Sequence, residues 1–127
     1  MKFPSEFKFT KEHEWISAVS GKANVGVSAY AVEQLGDVVH VELPEVGVEF
    51  ETGATFGTIE STKTVSDLYM PVAGRVSDVN HAIKDRPETL QEDAYRWLIK
   101  VEVRRDAASS HLLNASEYAT FVAKQDH

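Results

Sequence analysis

Apolar positions along this chain follow two periods. Val39, Val41 and Leu43 alternate with Val38, His40 and Glu42, the pattern of a half-buried strand. Trp97, Ile99, Val101 and Val103 alternate in the same way with Leu98, Lys100 and Glu102. His13 to Val19 reads as a strand, and Ser20-Gly21-Lys22-Ala23-Asn24 as the turn into Val25 to Val27. Two further runs, Ala54 to Ile59 and Val65 to Met70, are rich enough in β-branched and aromatic residues to favour strands. The helical period appears at Ala31, Val32 and Leu35, with Ser28 placed to N-cap a short helix and Gly36 to stop it. Pro87-Glu88-Thr89-Leu90 reads as a helical turn or as a loop. The tail changes character at Arg104-Arg105-Asp106, after which Ala107 to Leu113 and Glu117 to Val122 read as short helices, with Asn114 and Glu117 as a capping pair. These elements predict one mainly β domain over residues 1–127, with a core of about 5–104 and a helical segment of about 105–123.

Midway between two of the strands lies Glu60-Ser61-Thr62-Lys63-Thr64. Small polar residues suit a tight connection, and a short hairpin there would push the Lys63 ammonium into solvent, within reach of a modifying enzyme. Pro44-Glu45-Val46-Gly47 precedes this lysine and Pro71-Val72-Ala73-Gly74 follows it. Each reads as a tight turn, with Pro presetting φ and Gly free to take φ > 0, and each is followed by spaced valines. The pair describes either two halves of a small two-fold β-sandwich with Lys63 at its tip, or two unrelated turns.

Composition narrows the chemistry. At 127 residues and 43% hydrophobic the chain is sized for one modest core. A net charge of −7 argues against nucleic acid, which needs Lys and Arg to neutralise phosphates. With no cysteine there are no disulfides or thiolate metal sites, so any redox group must be brought in. No apolar run is long enough to span a membrane, and Met1-Lys2-Phe3-Pro4-Ser5-Glu6 has neither a signal core nor an Arg-rich transit pattern, so the expected compartment is the cytoplasm. The five histidines (His13, His40, His81, His111, His127) show no metal-ligand spacing and read as structural or solvent-facing. Neither a Gly-rich phosphate loop nor a G-x-S-x-G elbow is present. Trp15 and Trp97 read as core or rim aromatics.

The stretch around Lys63 resembles the lipoyl-lysine hairpin of the glycine cleavage system H-protein family, and the resemblance runs through most of the chain. Lys11-Glu12-His13-Glu14-Trp15 is similar to the family's His-Glu-Trp signature. Val25-Gly26-Val27-Ser28, Ala31 to Leu35, Gly36-Asp37-Val38-Val39 and Val41 to Gly47 are similar to its strand, helix and second strand in the same order. Ser66-Asp67, Pro71 to Gly74, Val79-Asn80 and Trp97 continue the likeness, which covers about residues 5–122.

The resemblance implies a lipoyl/biotinyl-type β-sandwich (barrel-sandwich hybrid) with short flanking helices. It implies a monomeric carrier rather than an enzyme, with lipoic acid amide-linked to Lys63 by a lipoate ligase or lipoyl transferase. On that reading the arm accepts an aminomethyl group from the pyridoxal-phosphate glycine decarboxylase. It presents the group to the tetrahydrofolate-dependent aminomethyltransferase and is reoxidised by dihydrolipoamide dehydrogenase. Glu14 and Asp67 match acids of a cleft that shelters the loaded amine, where carboxylates would hold the nitrogen protonated. Glu60 matches a position tied to lipoylation recognition, and Gly47 and Gly74 match glycines that shape the fold.

Two places depart from the family pattern. Gln34 stands where some members have a cleft histidine, and Gln91-Glu92-Asp93-Ala94-Tyr95-Arg96-Trp97 replaces Asn-x-x-Pro-Tyr and a Gly-containing spacer, which shortens a surface loop. An H-like lipoyl relay that donates lipoate to 2-oxo-acid dehydrogenase complexes therefore stands as an alternative, as does an unmodified interaction module. A biotin carrier is disfavoured, because Thr62 and Thr64 occupy the places its methionines normally take.

Overall fold

Pairing register shows where local pattern was overridden. In a computed structural model that describes residues 3–125, β1 (Lys8–Phe9) pairs with β2 (Glu14–Val19), and β2 pairs with β3 (Lys22–Val27). His127 and the outermost residues of the expected 1–127 domain lie outside the described residues. The β2–β3 connection is shorter than the five-residue turn read from the sequence, because Val19 already pairs with Lys22. Only Ser20 and Gly21 turn, both at positive φ (53° and 80°), as a primed two-residue hairpin requires. Lys22, Ala23 and Asn24 are strand residues, paired on their other side with β9 (Ile99–Val103).

Helix α1 (Ala29–Leu35) has the predicted bounds: Ser28 Oγ accepts from the Ala31 N–H at 3.2 Å, and Gly36 ends the helix at φ 78°. It leads into β4 (Val38–Glu42), whose burial departs from strict alternation. A bulge between Val38 and His40 leaves Val38 and Val41 buried while Val39 and His40 both face out. β5 (Glu49–Phe50), β6 (Thr55–Ser61), β7 (Val65–Tyr69) and β8 (Gly74–Val79) follow. Beyond them come α2 (His81–Asp85), α3 (Thr89–Glu92), β9 and α4 (Ala115–Gln125). Pro87 to Leu90 thus opens a helical turn. At the start of β9, Leu98 and Ile99 are both fully buried, so the expected alternation holds only from Ile99 onward.

The tail corrects one expectation. Residues 107–113 are irregular, with a turn at Ser110 and His111, and do not form a helix; Leu113 is drawn into an antiparallel bridge with Phe9. Ser109 and Ser110 offer little helix propensity to resist this, and His111 Nε2 bonds the Pro71 carbonyl at 2.7 Å. α4 itself is longer than predicted. Its capping box is reciprocal: Asn114 Oδ1 accepts from the Glu117 N–H at 2.8 Å, and Glu117 Oε1 from the Asn114 N–H at 2.9 Å.

Two antiparallel sheets result, one ordered β1-β2-β3-β9-β8-β5 and the other β4-β6-β7. Val25, Val76, Ile99 and Val101 from the larger sheet and Val41, Ile59 and Leu68 from the smaller share one core. A second cluster, Phe9, Trp15, Tyr118 and Val122, fixes α4 to the outer strands, with the Phe9 and Tyr118 rings stacked at 4.5 Å.

The strand after the first Pro-x-x-Gly motif pairs antiparallel with the strand that begins at the glycine of the second, Glu49 with Arg75 and Phe50 with Gly74, an arrangement a local two-fold produces. The two glycines serve different ends. Gly47 takes φ 98° in its turn, whereas Gly74 lies in β8 without a positive φ. There a Cβ would sit 2.6 Å from the Glu102 carbonyl oxygen and against Val101 Cγ1. We expect Gly74→Ala to cost about 1–3 kcal/mol through overpacking. A urea midpoint equal to wild type would show that β9 gives way freely.

Candidate functional site

Ser61 shapes the turn that carries Lys63. Its Oγ accepts from the Lys63 N–H (3.1 Å) and the Thr64 N–H (3.2 Å), and donates to the Thr64 carbonyl (3.3 Å). A backbone bond from Ser61 N–H to the Thr64 carbonyl (2.8 Å) closes the hairpin. From the other side the Thr62 N–H donates to the Asp37 carbonyl at 3.0 Å, which ties the tip to the segment after α1. The aliphatic stem of Lys63 passes over Gly36, where an added Cβ would lie 3.5 Å from Cε. Gln91 braces this segment from α3: its Nε2 donates to the Gly36 carbonyl (2.8 Å), and its Oε1 accepts from the Val38 N–H (3.4 Å). Lys63 is exposed.

A cavity of about 270 Å³ opens beside the hairpin, lined by Glu14, Asp67 and Gln34, with Thr64 marking its hairpin side. The three residues expected from the sequence to share a cleft therefore lie on one cavity. Apolar lining comes from Val27, Leu35, Ile59 and Leu68. Glu60 does not line it; it is exposed on β6, paired with His40 on one side and Val65 on the other.

The two acids differ sharply. Glu14 is 1% exposed. Its Oε1 accepts from the Thr10 hydroxyl at 2.7 Å and its Oε2 from the Tyr69 N–H at 3.3 Å. Burial outweighs both bonds and pushes its pKa up to about 8, so Glu14 is mainly the neutral acid at pH 7. Asp67 sits exposed at the rim, with the Tyr69 hydroxyl donating weakly to Oδ2 at 3.5 Å. A cation entering this cavity passes Glu12 and the exposed Asp67 and meets, in Glu14, an acid that ionises when a positive charge repays its desolvation.

Sequence reasoning passed over several lining groups. His13, read as a scattered histidine, lines the cavity at φ 73°, and burial pulls its pKa below the usual imidazole value. Its Nδ1 lies 2.7 Å from the Tyr118 hydroxyl, which lies 2.7 Å from Ser28 Oγ. Tyr118 thus joins α4 to α1 and to the turn before β2, and burial raises its pKa. Tyr30 and Gln125 complete that wall. The shortened loop lies apart from the cavity: Gln91 and Ala94 line a separate groove against α1 and Gly36.

A family model described as Glycine cleavage H-protein matches residues 7–125. The glycine cleavage system H protein of Staphylococcus epidermidis (strain ATCC 12228) is 44% identical over 126 residues, covering 98% of this chain and all of that protein. That of Staphylococcus saprophyticus is 42% identical over the same length, with the same coverage. Among solved structures, the crystal structure of a glycine cleavage system H protein from Mycobacterium marinum superimposes with a TM-score of 0.89 at 42% identity, covering 95% of this chain and 99% of that one.

Proposed function

Because this chain belongs to the glycine cleavage H-protein family, we propose that it is a lipoyl carrier of glycine cleavage, acting through Lys63, and not an enzyme in its own right. The two-sheet fold with its flanking helices is the lipoyl-type β-sandwich of that family. One observation carries the functional reading. The exposed lysine sits on a pinned hairpin beside a cavity that combines apolar walls with a buried acid.

That cavity fits the group the family implies. Leu35, Ile59 and Leu68 suit an apolar ring with its short chain, and Glu14 and Asp67 suit an amine at its end. Lipoic acid in amide linkage to Lys63 supplies a strained disulfide able to take up two electrons together with a one-carbon amine fragment. The chain contributes the surroundings. Ser61 and Asp37 orient the attachment point. The apolar walls keep water from the cargo carbon, and Asp67 draws a cationic nitrogen to the mouth. Glu14 holds that nitrogen by a charge-assisted bond inside. Gln34 offers an amide where some members present imidazole, so its contact is neutral at every pH.

The partners on this reading are a lipoate ligase or lipoyl transferase, which recognises the hairpin with Glu60 at its base, and three enzymes of glycine cleavage. These are the pyridoxal-phosphate glycine decarboxylase that supplies the fragment, the tetrahydrofolate-dependent aminomethyltransferase that consumes it, and dihydrolipoamide dehydrogenase. The test is to incubate the lipoylated chain with glycine and a glycine decarboxylase and to measure intact mass. A gain of one aminomethyl unit on the Lys63 peptide is expected. No gain, from a decarboxylase active on another H protein, would sink the glycine-cleavage assignment and favour the relay.

A further inference from the structure

We propose that Thr10 is a positioning residue for the cavity, fixing the Glu14 carboxyl so that Oε1 is always an acceptor and Oε2 is the only oxygen that carries the acid proton. The assignment follows from counting bonds at one hydroxyl. Thr10 Oγ1 has a single hydrogen and two lone pairs. The N–H groups of Glu12 and Glu14 both donate to it, each at 3.2 Å, and occupy the lone pairs. The hydrogen is left for the third neighbour, Glu14 Oε1 at 2.7 Å. A hydroxyl so committed cannot accept a proton from Oε1. In the neutral acid the proton therefore sits on Oε2, and the longer 3.3 Å approach of the Tyr69 N–H to Oε2 agrees, since an acid hydroxyl oxygen is a poor acceptor. Thr10 is 7% exposed, so water competes little for its hydrogen.

The consequence for the cargo rests on the carrier reading; the Thr10–Glu14 geometry does not. When a neutral amine meets Glu14, the Oε2–H bond breaks and an N–H bond forms, leaving a carboxylate beside an ammonium with no electrons exchanged. Thr10, still donating to Oε1, stabilises that carboxylate. Other titratable groups around the cavity are Glu12 and His13 from the turn before β2, Asp67 and Tyr69 from β7, Tyr30 from α1 and Tyr118 from α4. Thr10 is the residue that donates to Oε1, at 2.7 Å.

The test uses the unmodified chain, with carbon-13 in its glutamate carboxyls, titrated by NMR. Thr10→Val removes the donor at nearly constant volume and should move the Glu14 midpoint upward by about one pH unit, while Thr10→Ser should titrate close to wild type. An unchanged midpoint in Thr10→Val would overturn the assignment. If that variant does not fold, the wild-type Thr10 hydroxyl proton, buried and slow to exchange, should shift with the Glu14 midpoint. A resonance indifferent to that titration would equally overturn it. On the lipoylated and loaded chain, the pH profile of cargo loss should move with the same midpoint. Failure of Lys63 to be lipoylated would count against the carrier reading and leave both titrations intact as the measure of Thr10.

Discussion

Lys63→Arg is expected to lose lipoyl attachment completely while keeping the fold. None of the bonds that shape the hairpin uses the lysine ammonium; they come from Ser61 Oγ and from backbone groups of Ser61, Thr62, Thr64 and Asp37. Arginine keeps the charge and a long stem to lie over Gly36. Its guanidinium stays protonated at any working pH, so it offers no free amine to an activated acyl group. Intact mass with peptide mapping, after incubation with lipoate, ATP and a lipoate ligase, should show one lipoyl increment on the wild-type Lys63 peptide and none on the variant. Thermal midpoints should agree, as expected of a surface substitution. An increment on the variant would move the attachment elsewhere. None on wild type, from a ligase active on another acceptor, would leave an interaction module.

The second large effect is on stability. A buried Glu14 with a native pKa near 8, against an ordinary 4.5, binds its proton more tightly folded than unfolded. Between those values the native state holds a proton that the unfolded state has released, so stability falls as pH rises. The contribution is fully present below about pH 4.5, is lost progressively above it, and is gone past pH 8. By pH 7 the loss is on the order of 3 kcal/mol. Glu14→Gln removes it, since an amide does not titrate; its oxygen can accept from Thr10, while its nitrogen gives up the acceptor that Oε2 offers the Tyr69 N–H, a loss that does not vary with pH. Subtracting the variant's urea stability from that of wild type should give a difference that declines from pH 5 to pH 8. A flat difference would mean that Glu14 does not titrate in this window.

Much of the fold was readable because its signals are local. Ser28 and Gly36 bracket α1, Asn114 and Glu117 cap α4, and the hydroxyl-rich segment after Glu60 marks the hairpin. What escaped was set by partners distant in sequence. Ser20-Gly21 alone turns the β2–β3 hairpin because Lys22 is claimed by Glu102, eighty residues on. Residues 107–113 give up helix because Phe9 recruits Leu113 into a bridge. The β4 bulge is a register shift against β6, a strand more than ten residues further on.

The site divides the same way. Glu14, Asp67 and Gln34 were named from family likeness, and the structure gathers them on one cavity. No pattern distinguished the buried acid from the exposed one. That contrast is made by the walls around Glu14, to which residues of β3, α1, β6 and β7 all contribute. His13 and Tyr118 meet across 105 positions, beyond the reach of any short motif.

The bracing of the hairpin by Ser61, Asp37 and Gln91 bears on how a carrier searches. A tether whose origin wanders spreads its free end through a large volume. One whose origin is fixed confines that end to the sphere swept by its own rotatable bonds, and so raises the effective concentration of the tip at any enzyme mouth docked within the radius. Loosening the brace at Gln91 would dilute the tip without altering its chemistry, and the cost would appear as slower encounter with each partner in turn.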